Sequence, residues 1–380
     1  MDFMLNEDQR LVQATVREMA LAEIAPRAKE ADRNHRLDPK VLSLLTELGL
    51  WGGAYGEEWG GSGLDYLSYI LAVEELSRAC ASTGVLLAAH SSLCCDPIHH
   101  FGTAAQKERF LRPLLAGEKI GCFLLTEAGA GSDVGALGTK FEDRGDHYWV
   151  NGSKQFITNG GYLGTGVLFA TRDKTLGNHG LSAFVLDLTE PGVSLLKNEE
   201  KLGIRASYTS AFALDGVKLP KDRLLGQPDQ GFKIAMETLN GGRISIAAQA
   251  LGIGQAALDL AVNYARDRKQ FGQALQEFQG IQFKLAEMTS RLEAARLMTY
   301  KAAWSKGGGH PSAQASAMAK LLASEAANFC ADQSLQIHGG YGYSAEYEVE
   351  RLYRDARITE IYEGTSEIQK IVIAKGLFKG

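Results

Sequence analysis

A three-part α+β fold, helical, then β, then helical, is predicted by the period of the apolar residues, which changes twice along the 380-residue chain. Two local patterns support it. In the middle, Asn151-Gly152 separates Tyr148-Trp149-Val150 from Gln155-Phe156-Ile157, the composition of a tight β-hairpin. Near the end, Phe278, Ile281, Leu285, Met288, Leu292 and Ala295 recur at spacings of three and four, the seam of a helix bundle. The expected divisions are 1–117, all-α; 118–228, β; and 229–380, a helical bundle. With 45% hydrophobic residues, the chain can bury a core in each.

In the first segment a helix is expected from Asn6, a good cap with Gln9 three residues on and Val12, Val16 and Met19 on one face. Val41–Leu50, Tyr66–Ala81, Val85–His100 and Ala104–Ala116 are the further helical candidates. Strand patterns follow at Phe123–Thr126, Tyr148–Val150, Gln155–Thr158, Val167–Thr171, Leu181–Asp187 and Tyr208–Val217. Helical periodicity returns after Gln230, with Gly307-Gly308-Gly309 read as an interhelical loop.

Charge and composition exclude several classes. The net charge of −5 and the lack of a Lys/Arg run argue against nucleic acid and anionic membrane as partners. No apolar run approaches a membrane span of roughly 18 residues, and Met1-Asp2-Phe3 lacks a leader, so the expectation is a mature chain starting at Met1. Five scattered cysteines without a C-x-x-C pair suit a reducing compartment, and cytoplasm is the default. Adjacent His99 and His100, near Cys94 and Cys95, point to different helix faces, and no metal is assigned. There is no Walker loop and no G-x-S-x-G elbow, and the spacing of Gly129, Gly131 and Gly135 does not fit a Rossmann turn.

The most informative stretch is Ile361-Tyr362-Glu363-Gly364-Thr365-Ser366-Glu367. Thr365 is a good N-cap, so Glu363 falls in the turn before a helix, where Gly364 would let a flat ligand approach the backbone. Such a carboxylate can serve as a base; alone, it reads first as a complement to the helix dipole. Glu127-Ala128-Gly129-Ala130-Gly131-Ser132-Asp133 is a small-residue loop able to offer amides and hydroxyls to a ligand. Arg268, at the end of a long helix with Phe271-Gly272 beyond, has a dipole explanation but is also suited to pyrophosphate. Gln336-Ile337-His338-Gly339-Gly340 reads first as a glycine-terminated helix.

Taken together and in order, these residues resemble the acyl-CoA dehydrogenases nearly end to end. The matches are Thr126-Glu127 with Ala130-Gly131-Ser132-Asp133, Phe156-Ile157-Thr158, Lys201-Leu202-Gly203-Ile204-Arg205, Arg268 with Phe271-Gly272, and Tyr353-Arg354-Asp355-Ala356-Arg357 through Glu367. Gly231-Phe232-Lys233-Ile234-Ala235-Met236 and Ala248–Ile253 are most similar to the short-chain, or butyryl-CoA, branch. The resemblance implies an N-terminal helical domain, a central β-barrel-like domain and a C-terminal four-helix bundle, assembled as a homotetramer, a dimer of dimers, around noncovalent FAD.

By that resemblance Phe123, Leu125, Thr126, Gly131, Ser132, Phe156, Ile157 and Thr158 line the flavin, and Thr365 and Glu367 complete its contacts. Arg268, Phe271, Gln279, Gln336, Gly339 and Gly340 meet the FAD of the neighbouring subunit. Ser132, Asn240, Arg243, Tyr362 and Gly364 face the acyl-CoA. Glu363 is the implied base: it takes the α proton while the β hydrogen leaves as hydride to flavin N5, giving a trans-2-enoyl-CoA, with electron-transfer flavoprotein as the electron acceptor. Its pKa should be raised by burial.

Some relatives carry the base immediately before the arginine matching Arg243; here that residue is Gly242. Glutaryl-type relatives carry an arginine near Ser91, and this chain has none between Arg78 and Arg109, which disfavours a dicarboxylic substrate. Ala128 and Asn240 depart from the proline and aspartate common in relatives. The alternatives are an acyl-CoA oxidase, an enoyl-CoA reductase in an electron-bifurcating complex, and a noncatalytic CoA-thioester-binding flavoprotein.

Overall fold

A computed structural model of the chain describes residues 4–378, so the start at Met1 lies outside the described residues. Helix α1 (Glu7–Met19) opens as expected: Gln9 N–H donates to Asn6 Oδ1 at 2.8 Å and Asn6 N–H to Gln9 Oε1 at 3.0 Å. After α2 (Ala25–Asn34), Asp38 caps α3 (Pro39–Glu47), where Pro39 takes a first-turn position that needs no donor. Asp65 caps α4 (Tyr66–Ala79), and α5 (Ala81–Ala89) follows directly. The expected helix Val85–His100 is longer and interrupted: α5 passes through a widened π turn at His90–Cys95 into α6 (Asp96–Phe101). A second π turn, Lys107–Leu111, joins the short α7 (Ala104–Gln106) and α8 (Arg112–Leu115). Such turns aim side chains away from the regular helical stripe.

Eight strands form one sheet: β1 (Gly121–Leu124), β2 (Lys140–Asp143), β3 (His147–Thr158), β4 (Thr165–Thr171), β5 (Leu181–Asp187), β6 (Val193–Asn198), β7 (Thr209–Pro220) and β8 (Leu224–Leu225). The order is β6-β7-β3-β2-β4-β5-β8, with β1 also parallel to β4. Inward side chains from both halves, including Leu124, Val150, Leu168, Phe184 and Phe212, meet in a single core, as the barrel-like expectation requires.

The expected hairpin at Asn151-Gly152 is wrong. Tyr148–Val150 and Gln155–Thr158 belong to one strand, β3, which pairs along its length with β7 and kinks at a bulge between Val150 and Gly152. Asn151 Oδ1 accepts the Gly216 N–H at 2.8 Å, and a Cβ on Gly152 would lie 2.5 Å from Thr139 Oγ1. The glycine therefore serves a close approach rather than a chain reversal. The real reversal before β3 is at Gly145, with φ 86° and Arg144 N–H bonded to His147 O at 2.9 Å. Strands β2, β6 and β8, short or exposed, had no expectation.

The C-terminal part is α9 (Gly231–Asp267), a small hairpin β9 (Lys269–Gln270) and β10 (Gln273–Ala274), α10 (Gln279–Gly307), α11 (Ala313–His338), α12 (Val349–Arg357) and α13 (Ser366–Leu377). Met288, Leu292 and Ala295 of the seam are buried, while Phe278, Ile281 and Leu285 are half-buried. Among the described residues α9 is the one helix long and apolar enough to cross a membrane by length and composition; most of it is buried inside the fold as the helix that α4, α10 and α11 pack against. Loop 201–207 is held to α12 by Asp355, which accepts the Ile204 N–H, and Arg354 bridges from α12 to Asp32 of α2 at 2.9 Å.

Close contact around α9 needs small residues. A Cβ on Gly252 would lie 2.3 Å from Glu74 O and 2.7 Å from Arg78 N, both backbone atoms of α4 that cannot rotate away. Gly252→Ala is expected to lower stability by roughly 1–3 kcal/mol, read as a lower urea midpoint with an unchanged slope. An unaltered midpoint would show that the two helices are not held this closely.

Candidate active site

Glu363 stands in the turn before α13, whose first turn is capped by Thr365 Oγ1 accepting the Ile368 N–H. Its φ is 54° and that of Gly364 is 90°, so a non-glycine residue is kept in left-handed backbone next to a glycine that accepts it freely. Two buried side chains hold the turn. Gln369 Nε2 donates to Glu363 O at 3.0 Å and to Gly364 O at 2.8 Å, and Lys320 Nζ, from α11, donates to Gly364 O at 2.9 Å. A Cβ on Gly364 would lie 2.8 Å from Gln369 Nε2, so glycine serves close approach there too. The Glu363 N–H has no acceptor among the described residues.

The residue as a whole is half-buried, but its Oε2 is sheltered from solvent and has no hydrogen-bond partner among the described residues. It lies against α9 at Gly242, where a Cβ would be 2.7 Å from Oε2 and 2.8 Å from Leu93 Cδ2, the latter brought in by the His90–Cys95 π turn. Burial pushes the Glu363 pKa up to about 7, against the opposing pull of Arg243 and Lys320. Buried Arg243 donates from Nη1 to Asn240 Oδ1 at 2.7 Å. Asn240 in turn lines a cavity of about 1070 Å³, walled also by Tyr66, Tyr69, Ser91, Thr238 and Lys306. The Tyr362 hydroxyl is bonded to Gln249, whose amide donates to Ala81 O at 2.9 Å. A carboxylate with a near-neutral pKa beside an unpaired backbone donor is equipped to remove a proton from carbon next to a carbonyl and to stabilise the charge that develops.

The small-residue loop after β1 is shaped by a buried ion pair. Lys154 is fully buried on β3 and donates to Leu125 O at 3.1 Å and to Glu127 Oε1 at 2.7 Å. The Glu127 carboxylate also accepts the Gly138 and Thr139 N–H groups at 2.6 and 2.9 Å. Burial alone would raise the Glu127 pKa, but Lys154 and these donors outweigh it and leave it lowered. With the loop so anchored, Gly131 and Ser132 stand exposed, nothing lies within 4 Å of a Cβ on Gly129 or Gly131, and Gln155 N–H bonds Thr126 O at 2.9 Å. Phe156, at φ 58°, is 59% exposed, unusual for a phenylalanine in a strand. Phe123 packs on Phe169 at 4.8 Å. Leu125 and Ile157 turn into cores, leaving only their backbones to meet a ligand, and Thr158 pairs with Thr209.

Arg268, Gly339 and Gly340 gather elsewhere, lining a pocket of about 460 Å³ with Tyr264, His338 and Tyr341. His338 bonds Ser334 O through Nδ1 at 2.7 Å and stacks on Tyr264 at 4.2 Å. Phe271 is 94% exposed at the hairpin tip, and Gln279 and Gln336 are exposed nearby in the chain but outside the pocket lining. Glu367 is exposed in the first turn of α13. The structure thus joins Glu363, Gly364, Tyr362, Asn240 and Arg243 in one place. The β1–β3 loop residues and the Arg268 group form two further surfaces, and Ser132 makes no hydrogen bond to the Glu363 group.

Lys320, Gln369, Gln249 and Lys154 were not anticipated. One signal for Lys320 was available: Ser316, Lys320, Ala323, Ser324 and Ala327 form a buried stripe, and a lysine on such a stripe is anomalous. Lys154, in a strand, offered no comparable cue.

Three family models match the chain: Acyl-CoA dehydrogenase N-terminal domain at residues 6–118, middle domain at 122–217 and C-terminal domain at 229–378. The chain is 50% identical over 375 residues to the mitochondrial short-chain specific acyl-CoA dehydrogenase of Mus musculus, covering 99% of this chain and 91% of that one. It superposes at a TM-score of 0.98, with 46% identity and complete coverage of both chains, on butyryl-CoA dehydrogenase from Megasphaera elsdenii. The same TM-score, identity and coverage relate it to a chain in a structure described as the electron transferring flavoprotein of Acidaminococcus fermentans, towards a mechanism of flavin-based electron bifurcation. From its three consecutive domains and these full-length relatives, the chain belongs to the acyl-CoA dehydrogenase family and is an acyl-CoA dehydrogenase of the short-chain type.

Proposed function

We propose that this chain dehydrogenates a short-chain acyl-CoA between Cα and Cβ, with Glu363 as the base, FAD as the resident cofactor and electron-transfer flavoprotein as the oxidant. The observation that carries the reading is the Glu363 carboxylate: buried, unpartnered at Oε2, and opposite a glycine at the alternative base position. A side chain at Gly242 and the present carboxylate would compete for the same space. The local geometry therefore has room for one base.

The residues present suit a flavin. The loop held by Glu127 and Lys154 leaves its glycine positions open, and Phe156 presents an exposed ring. Thr126, Ser132 and Thr158 would hold the isoalloxazine side, with backbone from Leu125 and Ile157. The β hydrogen would leave as hydride, for which bound FAD would supply the acceptor. Glu363 takes the α proton onto its carboxylate, and its N–H donates to the thioester oxygen as negative charge develops there. Arg243 and Lys320 favour the ionised base before reaction, while burial keeps its proton affinity close to neutral pH. Asn240, bonded to Arg243 and lining the large cavity, would meet the thioester or pantetheine amides.

The Arg268 pocket, Phe271 and the exposed start of α10, Phe283 included, suit a surface completed by a second copy, which supports the dimer-of-dimers reading. All five cysteines are buried free thiols, compatible with a reducing cytoplasm.

In Glu363→Gln, flavin binding is expected to persist while anaerobic bleaching by butyryl-CoA slows by a factor of about 10² or more. Bleaching at the parental rate in that variant would remove Glu363 from the base role. Because the base must be ionised, kcat/KM should fall about tenfold per unit as pH drops below about 7. A flat profile down to pH 5 would contradict the assignment.

A second reading, enoyl-CoA reduction with a bifurcating flavoprotein, is favoured by the likeness to the Acidaminococcus fermentans structure. Butyryl-CoA alone is expected to reduce electron-transfer flavoprotein in steady state, with little oxygen uptake. Turnover seen only as NADH-dependent crotonyl-CoA reduction would support the second reading instead, and rapid oxygen uptake would indicate an oxidase.

A further inference from the structure

Lys320 is the least expected residue at the site. Its side chain is fully buried in α11, it forms no ion pair within 4 Å among the described residues, and its hydrogen bond is to a neutral acceptor, Gly364 O, at 2.9 Å. An ammonium in that setting is costly, and an apolar residue would fill the same space in the alanine-rich stripe of Ala319, Ala323 and Ala327 without the penalty. Its neighbours indicate what the charge can do. Glu363, Glu360, Arg243 and Glu367 all act on it electrostatically, with Glu363 contributing most after burial. The contact it makes is to the carbonyl directly after the base.

We propose that Lys320 is a positioning residue for the dehydrogenation, holding the Glu363–Gly364 turn through the Gly364 carbonyl and setting a buried positive charge behind the base. This rests on Glu363 being the base. Gln369 shares the mechanical part, since it bonds the same carbonyl and that of Glu363, but it is neutral. Arg243, the other cation facing Glu363, approaches from α9 and is already engaged by Asn240. Among the described residues, Lys320 is the cation that bonds the backbone of the turn and also acts on the charge of the base. Burial lowers its own pKa to about 8, opposed by Glu363 and Glu360, so the cation is lost at mildly alkaline pH. Glu363 must be ionised and Lys320 protonated together, so the carboxylate bounds activity on the acid side and the ammonium on the alkaline side, and the two form a coupled pair.

The test uses the flavin-loaded enzyme and the pH dependence of kcat/KM for butyryl-CoA in the parent, Lys320→Met and Lys320→Gln. The parent should give a bell. In Lys320→Met the alkaline limb disappears, the acid limb moves up by about one unit because a cation near Glu363 is gone, and kcat falls about 10–100-fold with KM changed less than about threefold. Lys320→Gln, a neutral donor able to reach the same carbonyl, should recover part of kcat but leave the acid limb displaced and the alkaline limb absent. An alkaline limb persisting in both variants, or an acid limb unmoved in both, overturns the proposal. So does a loss of kcat matched by loss of flavin and of thermal stability in both variants, which would mark a purely structural lysine. If Glu363→Gln keeps substrate bleaching, the base assignment fails on its own; if that assignment holds while the Lys320 profiles match the parent, only the present inference falls.

Discussion

Close approach to α9 is the constraint on which the rest of this structure depends. The helix is surrounded by α4, α10 and α11, and glycine recurs where neighbours come nearest: Gly252 against the backbone of α4, Gly254 against Leu292, Gly242 against the Glu363 carboxylate. The same small-residue surface that lets the helices pack also leaves the space in which the base sits. Packing and catalysis are therefore not separable here. A methyl group at 242 would displace the carboxylate or Leu93, just as one at 252 would displace a backbone carbonyl.

Electrostatics at the site are governed by burial more than by pairing. Glu363 is kept near neutrality because it is withdrawn from water, with two cations moderating the effect at longer range rather than forming salt bridges. Glu127 and Lys154 show the opposite arrangement: a buried pair in contact, with backbone donors filling the remaining carboxylate positions. One carboxylate is left hungry for a proton, the other is held firmly ionised and fixes a loop. The contrast follows from whether a cation and hydrogen-bond donors contact the carboxylate, not from residue type.

Where expectation and structure part, the cause is tertiary pairing. Asn151-Gly152 has the composition of a turn, yet β7 offers partners to both flanking segments, and pairing continues through a bulge. The π turns at His90–Cys95 and Lys107–Leu111 leave no mark in apolar periodicity, because one extra residue per turn is small against the scatter of a helical stripe. Glu363 in its turn, Thr365 as cap and Gly364 beside it were legible, since capping is local chemistry, whereas the left-handed backbone of Glu363 was not. Lys320 and Gln369 were not. Lys320 reaches the turn from 44 positions earlier in the chain, and only the packing of α11 on α13 brings it there.

By itself the sequence determined the succession of helical, β and helical parts, the capped turn carrying Glu363, and the family, because periodicity, capping and ordered motifs are properties of neighbouring residues. Tertiary structure alone decided that Gly242 faces the base, that an unpaired amide and a buried ammonium flank it, and that the base has a proton affinity near neutral. Those are matters of distance and exclusion of water between elements far apart in the chain. No local pattern encodes them.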